Sequence, residues 1–177
     1  FRSILLAISL VSIPLTAIDK QAHIEGKFFS KLSDYRFFKD LTNQIPADEV
    51  LPYQLQSELF SDYTYKQRFV YVPPEMKVEH ENNKVFMFPV GSVLIKTFSY
   101  QNTTSVLTPQ LLETRLLIHS EGGWKAVSYI WNEDQTEAYL SLVGGTIQTS
   151  FSDEGGNIRS VRYRAPNKNQ CKECHQI

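Results

Sequence analysis

Short apolar runs with a period of two dominate the chain from Gln67 onward. They are rich in Val, Ile, Tyr, Phe and Thr, and turn signals such as Asn-Asn and Gly-Gly pairs separate them. Such runs, bounded by turns, are typical of β-strands. The runs are QRFVYVP, KVFMFPVGSVLIKTFSY, LLETRLLIHS, GWKAVSYIW, EAYLSLVG, TIQTSF and NIRSVRYRA.

The spacing of apolar residues is different between Phe28 and Leu41. There Leu32, Tyr35 and Phe38 follow Phe28 at near-helical intervals, which predicts an amphipathic helix or two short helices. A stretch punctuated by proline follows and predicts a connector. The predicted fold class is therefore α+β, with a mainly antiparallel β-sheet, an N-terminal helical segment and a helical turn at the C-terminal end.

The first seventeen residues have the composition of an export signal. One basic residue, Arg2, precedes an apolar run from Ile4 to Leu15, and small residues stand before the charged pair Asp19 and Lys20. This order predicts a signal peptide over 1–17, a periplasmic location and no stable membrane insertion after cleavage. The alternative is an uncleaved anchor. Because the first residue is Phe, we expect the sequence to be a fragment of a longer protein.

Composition narrows the function classes. The 177 residues are 42% hydrophobic and 12% aromatic, which is enough for a buried core. The formal net charge is −1, so no overall positive field favours nucleic acid as a partner.

The chain has two cysteines, Cys171 and Cys174, and His175 follows the second directly. Cys-x-x-Cys-His is the attachment signature of c-type haem. Positions i and i+3 lie on one side of a helical turn, so both thiols can reach the vinyl groups of one porphyrin edge. His175 can then bind the iron as proximal ligand. The motif predicts covalent haem c, with a disulfide or a zinc site as the alternatives.

We predict three regions: the signal peptide over 1–17, a helical and loop segment over 18–66, and a β-rich haem-binding domain over 67–177. Export agrees with covalent haem, because the cytochrome c maturation machinery attaches haem outside the cytoplasm.

Several longer strings carry a family resemblance. LSDYRFF, LPYQLQSELFSDYTYKQRFVYVP, FPVGSVLIKTF, ETRLLIHSEGGWKAVSYIWNEDQTEAYL and PNKNQCKECH together resemble a family of bacterial exported dihaem c-type cytochromes, from about Leu32 to His175. The resemblance implies haem binding, electron transfer and a redox partner that could be a sugar-dehydrogenase-like protein. Because this sequence has one Cys-x-x-Cys-His motif, a second haem would be bound outside this sequence.

The local plan is also similar to the cytochrome P460 and c′-β group. That likeness rests on GSVLIKTF, an interior Gly-Trp strand and a C-terminal haem motif. It implies an open distal iron site, and a pocket lysine joined to the haem ring.

Lys96 is the candidate for such a lysine, because it shares strand parity with Leu94 and Phe98. The alternatives are that Lys96 reaches the sheet edge or pairs with Glu113. Candidate distal ligands are Met76, Met87 and His119; the sequence favours the alternative that the methionines are core or surface residues and that His119 is a surface histidine.

Two arginines precede the haem motif. On a strand, Arg162 and Arg164 share one face, where their guanidinium groups could hold haem propionates. The alternative is a solvated face.

The sequence thus predicts a periplasmic c-type cytochrome module that exchanges electrons with a partner dehydrogenase. The alternative function is a P460-like haem enzyme or a small-ligand-binding haem protein.

Overall fold

The fold is described from a computed structural model, which covers residues 17–57, 59–100, 109–153 and 155–174, with the backbone alone for 172–174. Residues 1–16, which are most of the predicted signal peptide, lie outside the described residues. His175, the predicted proximal iron ligand, also lies outside them. The described residues form two helices, one 3-10 turn and ten strands. The helices and the turn are α1 (Lys20–Glu25), α2 (Lys168–Cys174) and the 3-10 turn Ser33–Tyr35; the strands are β1 (Phe38–Asp40), β2 (Ile45–Pro46), β3 (Val50–Pro52), β4 (Tyr65–Tyr71), β5 (Val93–Tyr100), β6 (Gln110–Ser120), β7 (Gly123–Trp131), β8 (Ala138–Ser141), β9 (Gly145–Ser152) and β10 (Ile158–Ala165).

The main sheet of the described chain has six antiparallel strands in the order β3-β4-β5-β6-β7-β8. The order follows the sequence, so strands that are consecutive in the chain are neighbours in the sheet, as in a meander. β9 and β10 form a separate antiparallel hairpin, and β1 pairs with β2. The predicted fold class, α+β with a mainly antiparallel sheet, is confirmed.

One side of the main sheet, which we call the closed face, is covered by the N-terminal segment. Phe69, Ile95 and Leu116 point to this side from three neighbouring strands, and they belong to one buried cluster with Tyr35 and Phe37. The other side, the cleft face, is partly covered by the β9–β10 hairpin. There Phe98 packs in a smaller cluster with Tyr163 and Phe151.

The predicted helix over Phe28–Leu41 is wrong. The backbone of residues 30–33 lies beside β8 instead: Leu32 N–H donates to the Ala138 carbonyl at 2.9 Å, and Leu140 N–H donates to the Ser30 carbonyl at 3.0 Å. These bonds replace the ones that a helix would make within itself. Arg36 then adopts a φ of 59°, which ends the 3-10 turn.

The apolar residues of that segment still enter the core. Leu32 and Tyr35 are buried, while Phe28, Phe38 and Leu41 pack against the same cluster from partly buried positions. The sequence pattern therefore identified core residues correctly but assigned them the wrong backbone.

The short helix α1 was not predicted. Asp19 caps it by accepting the Ala22 N–H at 3.0 Å, and Gly26 ends it at a φ of 66°. Its His23 is fully buried, with the ring centroid 5.3 to 5.7 Å from those of Tyr35, Phe37 and Tyr71. Burial lowers the pKa of His23 to about 4, against the opposing effects of the Asp19 charge and the Gly91 backbone.

The predicted boundary between residues 66 and 67 falls inside β4, and β3, from the predicted helical and loop segment, pairs with β4. Across the described residues, no helix has the length and apolar character needed to cross a membrane.

Candidate functional site

A cleft of about 520 Å³ opens on the cleft face, between the sheet and α2. Its floor comes from strands β4 to β7, and its walls come from the chain after β3, from the end of β10 and from α2. Its lining among the described residues is Tyr53, Leu55, Arg68, Leu94, Ile95, Lys96, Arg115, Leu116, Leu117, Ala126, Val127, Arg164, Pro166, Gln170 and Cys171. This volume lies in the range of sites for small organic ligands and cofactors.

Three of the predicted haem-site residues line this cleft together: Cys171, Lys96 and Arg164. Cys171 and Arg164 come from α2 and from β10 just before it, whereas Lys96 comes from β5, which is distant in sequence. Cys171 is 8% exposed. Cys174 lies in the same helix, three residues along, so the backbone places both cysteines of the motif on α2.

Arg162 is not among the described residues that line the cleft. It lies on β10 with an exposed side chain, opposite Gln148 of β9. The two arginines have the same strand parity, but the hairpin approaches the cleft at its end, where Arg164 lies, so only Arg164 reaches the lining.

The candidate distal ligands lie elsewhere. Met76 and Met87 are 45% and 49% exposed, and Met87 bridges to Glu79 outside the main sheet. His119 stacks on Trp124 at 4.5 Å, and its Nδ1 lies 2.8 Å from the Phe88 carbonyl oxygen. None of the three is among the described residues that line the cleft.

Lys96 sits in the middle of a row of cations on the floor. The strand register places Lys96 directly opposite Arg68 on one side and Arg115 on the other. The Lys96 Nζ lies 4.8 Å from the centroid of the Phe98 ring, and the Arg115 Cζ lies 4.4 Å from the same centroid. Phe98 thus contacts two cations through its π-system.

The pKa of Lys96 is lowered to about 8. Burial is the largest cause, followed by the positive charges of Arg68, Arg115 and Lys66, while Glu113 acts in the opposite direction. Part of the Lys96 population is therefore a neutral amine at mildly alkaline pH.

Glu113 is fully buried and holds the cleft face together. Its carboxylate accepts from Arg115 Nε at 2.8 Å and Nη2 at 2.9 Å, from Ser128 Oγ at 2.6 Å and from Tyr163 Oη at 2.5 Å. Burial disfavours the Arg115 charge, but the bonds and charge of Glu113 outweigh this, so the pKa of Arg115 is raised. The predicted alternative partner of Lys96 is thus already bound to Arg115.

Sequence reasoning missed Arg68 and Arg115. Each is a single charge in an otherwise apolar strand run, RFVYV and TRLLI. Side chains alternate along a strand, so Arg115 lies on the same face as Glu113, and the sequence could have predicted this pair. The adjacency of Arg68, Lys96 and Arg115 depends on the strand register, which the sequence alone does not fix.

No group of three or more His, Cys, Asp or Glu side chains suited to a metal ion occurs within the described residues. Comparison of the chain with protein-family models, with curated proteins and with solved structures gave no match.

Proposed function

We propose that the chain is an exported c-type cytochrome module, which binds haem covalently through Cys171 and Cys174 and exchanges electrons with a partner dehydrogenase. The observation that carries the proposal is that Cys171, in the Cys-x-x-Cys-His motif, lines a cleft of about 520 Å³. The proposal includes three predictions from the sequence: a periplasmic location, membership of the dihaem cytochrome family, and haem attachment by the cytochrome c maturation machinery.

The residues of the cleft fit a haem. Leu55, Leu94, Leu117 and Pro166 offer apolar contact for a porphyrin plane, and Arg164 with the floor cations offers donors for its propionates. α2 presents both cysteines one turn apart, as two thioether bonds to one porphyrin edge require. When bound, haem supplies a one-electron redox couple, and the protein sets its exposure and charge environment.

The test is attachment of haem to the full chain, expressed with a cytochrome c maturation system. We expect one haem per chain that survives acid-acetone extraction, because thioether bonds resist this treatment. Cys171→Ser with Cys174→Ser removes both thiols of the chain and should leave haem fully extractable. Colourless parent protein with stoichiometric zinc would refute the proposal.

His175→Ala tests the proximal ligand separately. The thioethers hold the ring without it, but the iron loses its strong-field axial donor, so haem incorporation should fall and the visible spectrum should change. An unchanged spectrum would place the iron ligand elsewhere.

We propose a second function, a P460-like haem enzyme or small-ligand-binding haem protein, because Lys96 lines the same cleft as Cys171. Lys96→Met in the haem-loaded protein separates the two. A changed visible spectrum or carbon monoxide affinity favours this second function; an unchanged spectrum and affinity leave electron transfer. Lys125→Met is the matched control, since Lys125 lies on neighbouring β7 opposite Ile118 of the closed face.

A further inference from the structure

The cation row on the floor of the cleft is electrostatically unfavourable as it stands. Arg68, Lys96 and Arg115 occupy directly opposing positions on three adjacent strands. Like charges directly opposite each other on neighbouring strands are destabilising. The mutual repulsion is reflected in the lowered pKa of Lys96, for which burial is the first cause and the neighbouring Arg68 and Arg115 charges the next.

Glu113 neutralises one cation of this row, Arg115, and only partly offsets the positive charges around Lys96. Its two carboxylate oxygens already accept two bonds from Arg115, one from Ser128 and one from Tyr163. Arg164 adds a further cation at the wall, and Lys66 adds positive charge close to Lys96. Lys96 and Arg164 therefore line the cleft as cations outside the pair of Glu113 and Arg115.

The remaining lining is mostly apolar. Leu94, Leu117 and Ala126 alternate with the cations along the floor, and Leu55 and Pro166 stand at opposite walls. A ligand that fits both parts has an anionic group over the cations and a hydrocarbon or aromatic body against the walls. Planar carboxylates match the donor fork of arginine.

We infer that this cleft is a binding site for an organic carboxylate, with Lys96 and Arg164 recognising the acid group. The inference uses the charges of the cleft and does not depend on haem attachment, so each can fail without the other. Two sources share this chemistry: the propionates of a porphyrin, and a free acid with an apolar body.

The test uses the full chain made without haem, and fluorescence titration with two matched pairs of probes. One pair is 2-naphthoate with 2-naphthamide, and the other is protoporphyrin IX with its dimethyl ester. A charge-assisted hydrogen bond favours the acid. We therefore expect the affinity of an acid that binds to be at least about tenfold higher than that of its neutral analogue. Added salt should weaken binding of the acid and leave binding of the neutral analogue unchanged.

Lys96→Met removes the central cation and should weaken binding of the acid by about tenfold, with little effect on the neutral probe. Arg164→Gln, at the exposed wall, is the second variant and should also weaken binding of the acid. Lys125→Met should leave both affinities unchanged. Circular dichroism of each variant shows that the fold is kept.

Tight binding of naphthoate supports a free acid as the ligand, whereas acid-dependent binding of the porphyrin alone supports propionates. Equal affinity for acid and neutral probes, absence of binding by all four, or no effect of Lys96→Met together with Arg164→Gln would overturn the inference. Extraction-resistant haem in the separately matured protein reports on the proposed function and not on this one.

Discussion

The two faces of the main sheet differ in the polar side chains that they bury and in the partners of those side chains. On the closed face, neutral groups bond to each other: Thr97 contacts Thr114 at 2.8 Å and donates to Gln44 at 2.6 Å, and Trp131 donates to Thr114 at 3.0 Å. On the cleft face, the central polar group is the fully buried Glu113 carboxylate, which pairs with the partly buried Arg115.

Both faces are built by the same strands. Thr114 and Arg115 are consecutive residues of β6, and Ile95 and Lys96 are consecutive residues of β5. Because side chains alternate across a strand, one residue contributes to the core and the next to the cleft. The sheet thus has mainly neutral buried contacts on one side and a charged cleft on the other, and mutations on the two faces should have different effects.

The largest effect should come from Glu113→Gln. The substitution leaves Arg115 beside an uncharged amide and disturbs the bonds from Ser128 and Tyr163. Removing one partner of a buried ion pair costs about 3 to 5 kcal/mol, and because the Arg115 side chain is 33% exposed we expect the lower end of this range. Urea unfolding at pH 7 measures the loss, and a change below about 1 kcal/mol would show that the pair does not hold the cleft face together.

The next effect is a pH dependence on the closed face. His23 has a pKa of about 4 in the fold against an ordinary value of 6.5. The unfolded chain therefore binds the proton first as pH falls, so stability present above pH 6.5 is lost between pH 6.5 and 4, by up to about 3 kcal/mol.

His23→Gln isolates this dependence. The variant has no titrating ring, so the difference in unfolding free energy between it and the parent should change with pH across that window. A difference that is constant from pH 7 to pH 4 would contradict the assigned cause. The carboxylates cancel in the comparison, because both proteins carry the same set.

Tyr129→Phe should have a smaller effect, also on the closed face. The Tyr129 hydroxyl donates to the Phe29 carbonyl at 2.8 Å and lies 2.9 Å from the Tyr35 hydroxyl. Loss of a neutral hydrogen bond costs about 1 kcal/mol, and the ring packing is kept. Thermal unfolding at constant protein concentration measures it. A cost as large as that of Glu113→Gln would remove the distinction between the faces.

Lys96→Met should have the smallest effect and the opposite sign. The lowered pKa of Lys96 means that protonation disfavours the fold below about pH 8, and that this cost is relieved as pH rises toward 10.5. Because the side chain is partly exposed and screened, we expect a gain of about 1 kcal/mol or less in the haem-free protein at pH 7.

Lys125→Met is the control for that gain and should stay within about 0.5 kcal/mol of the parent. Destabilisation by Lys96→Met would show that the cation row is not repulsive in the free protein.

The sequence by itself located the seven strands from β4 to β10 and a helical turn at the C-terminal cysteines. The run GWKAVSYIW coincides with β7, and NIRSVRYRA contains β10, because period-two alternation is a local property of the chain. The Cys-x-x-Cys spacing likewise lies within one short helix, α2. Leu32 and Tyr35 were identified as core residues for the same reason.

Only the tertiary structure decided the backbone of residues 28–41 and the composition of the cleft. The first depended on the edge of β8, more than a hundred residues away, whose backbone groups bond to Ser30 and Leu32. The second depended on strand register, which brings Arg68, Lys96 and Arg115 together from three strands. A single sequence does not encode register visibly, because it arises from the pairing of whole strands and the packing of both faces.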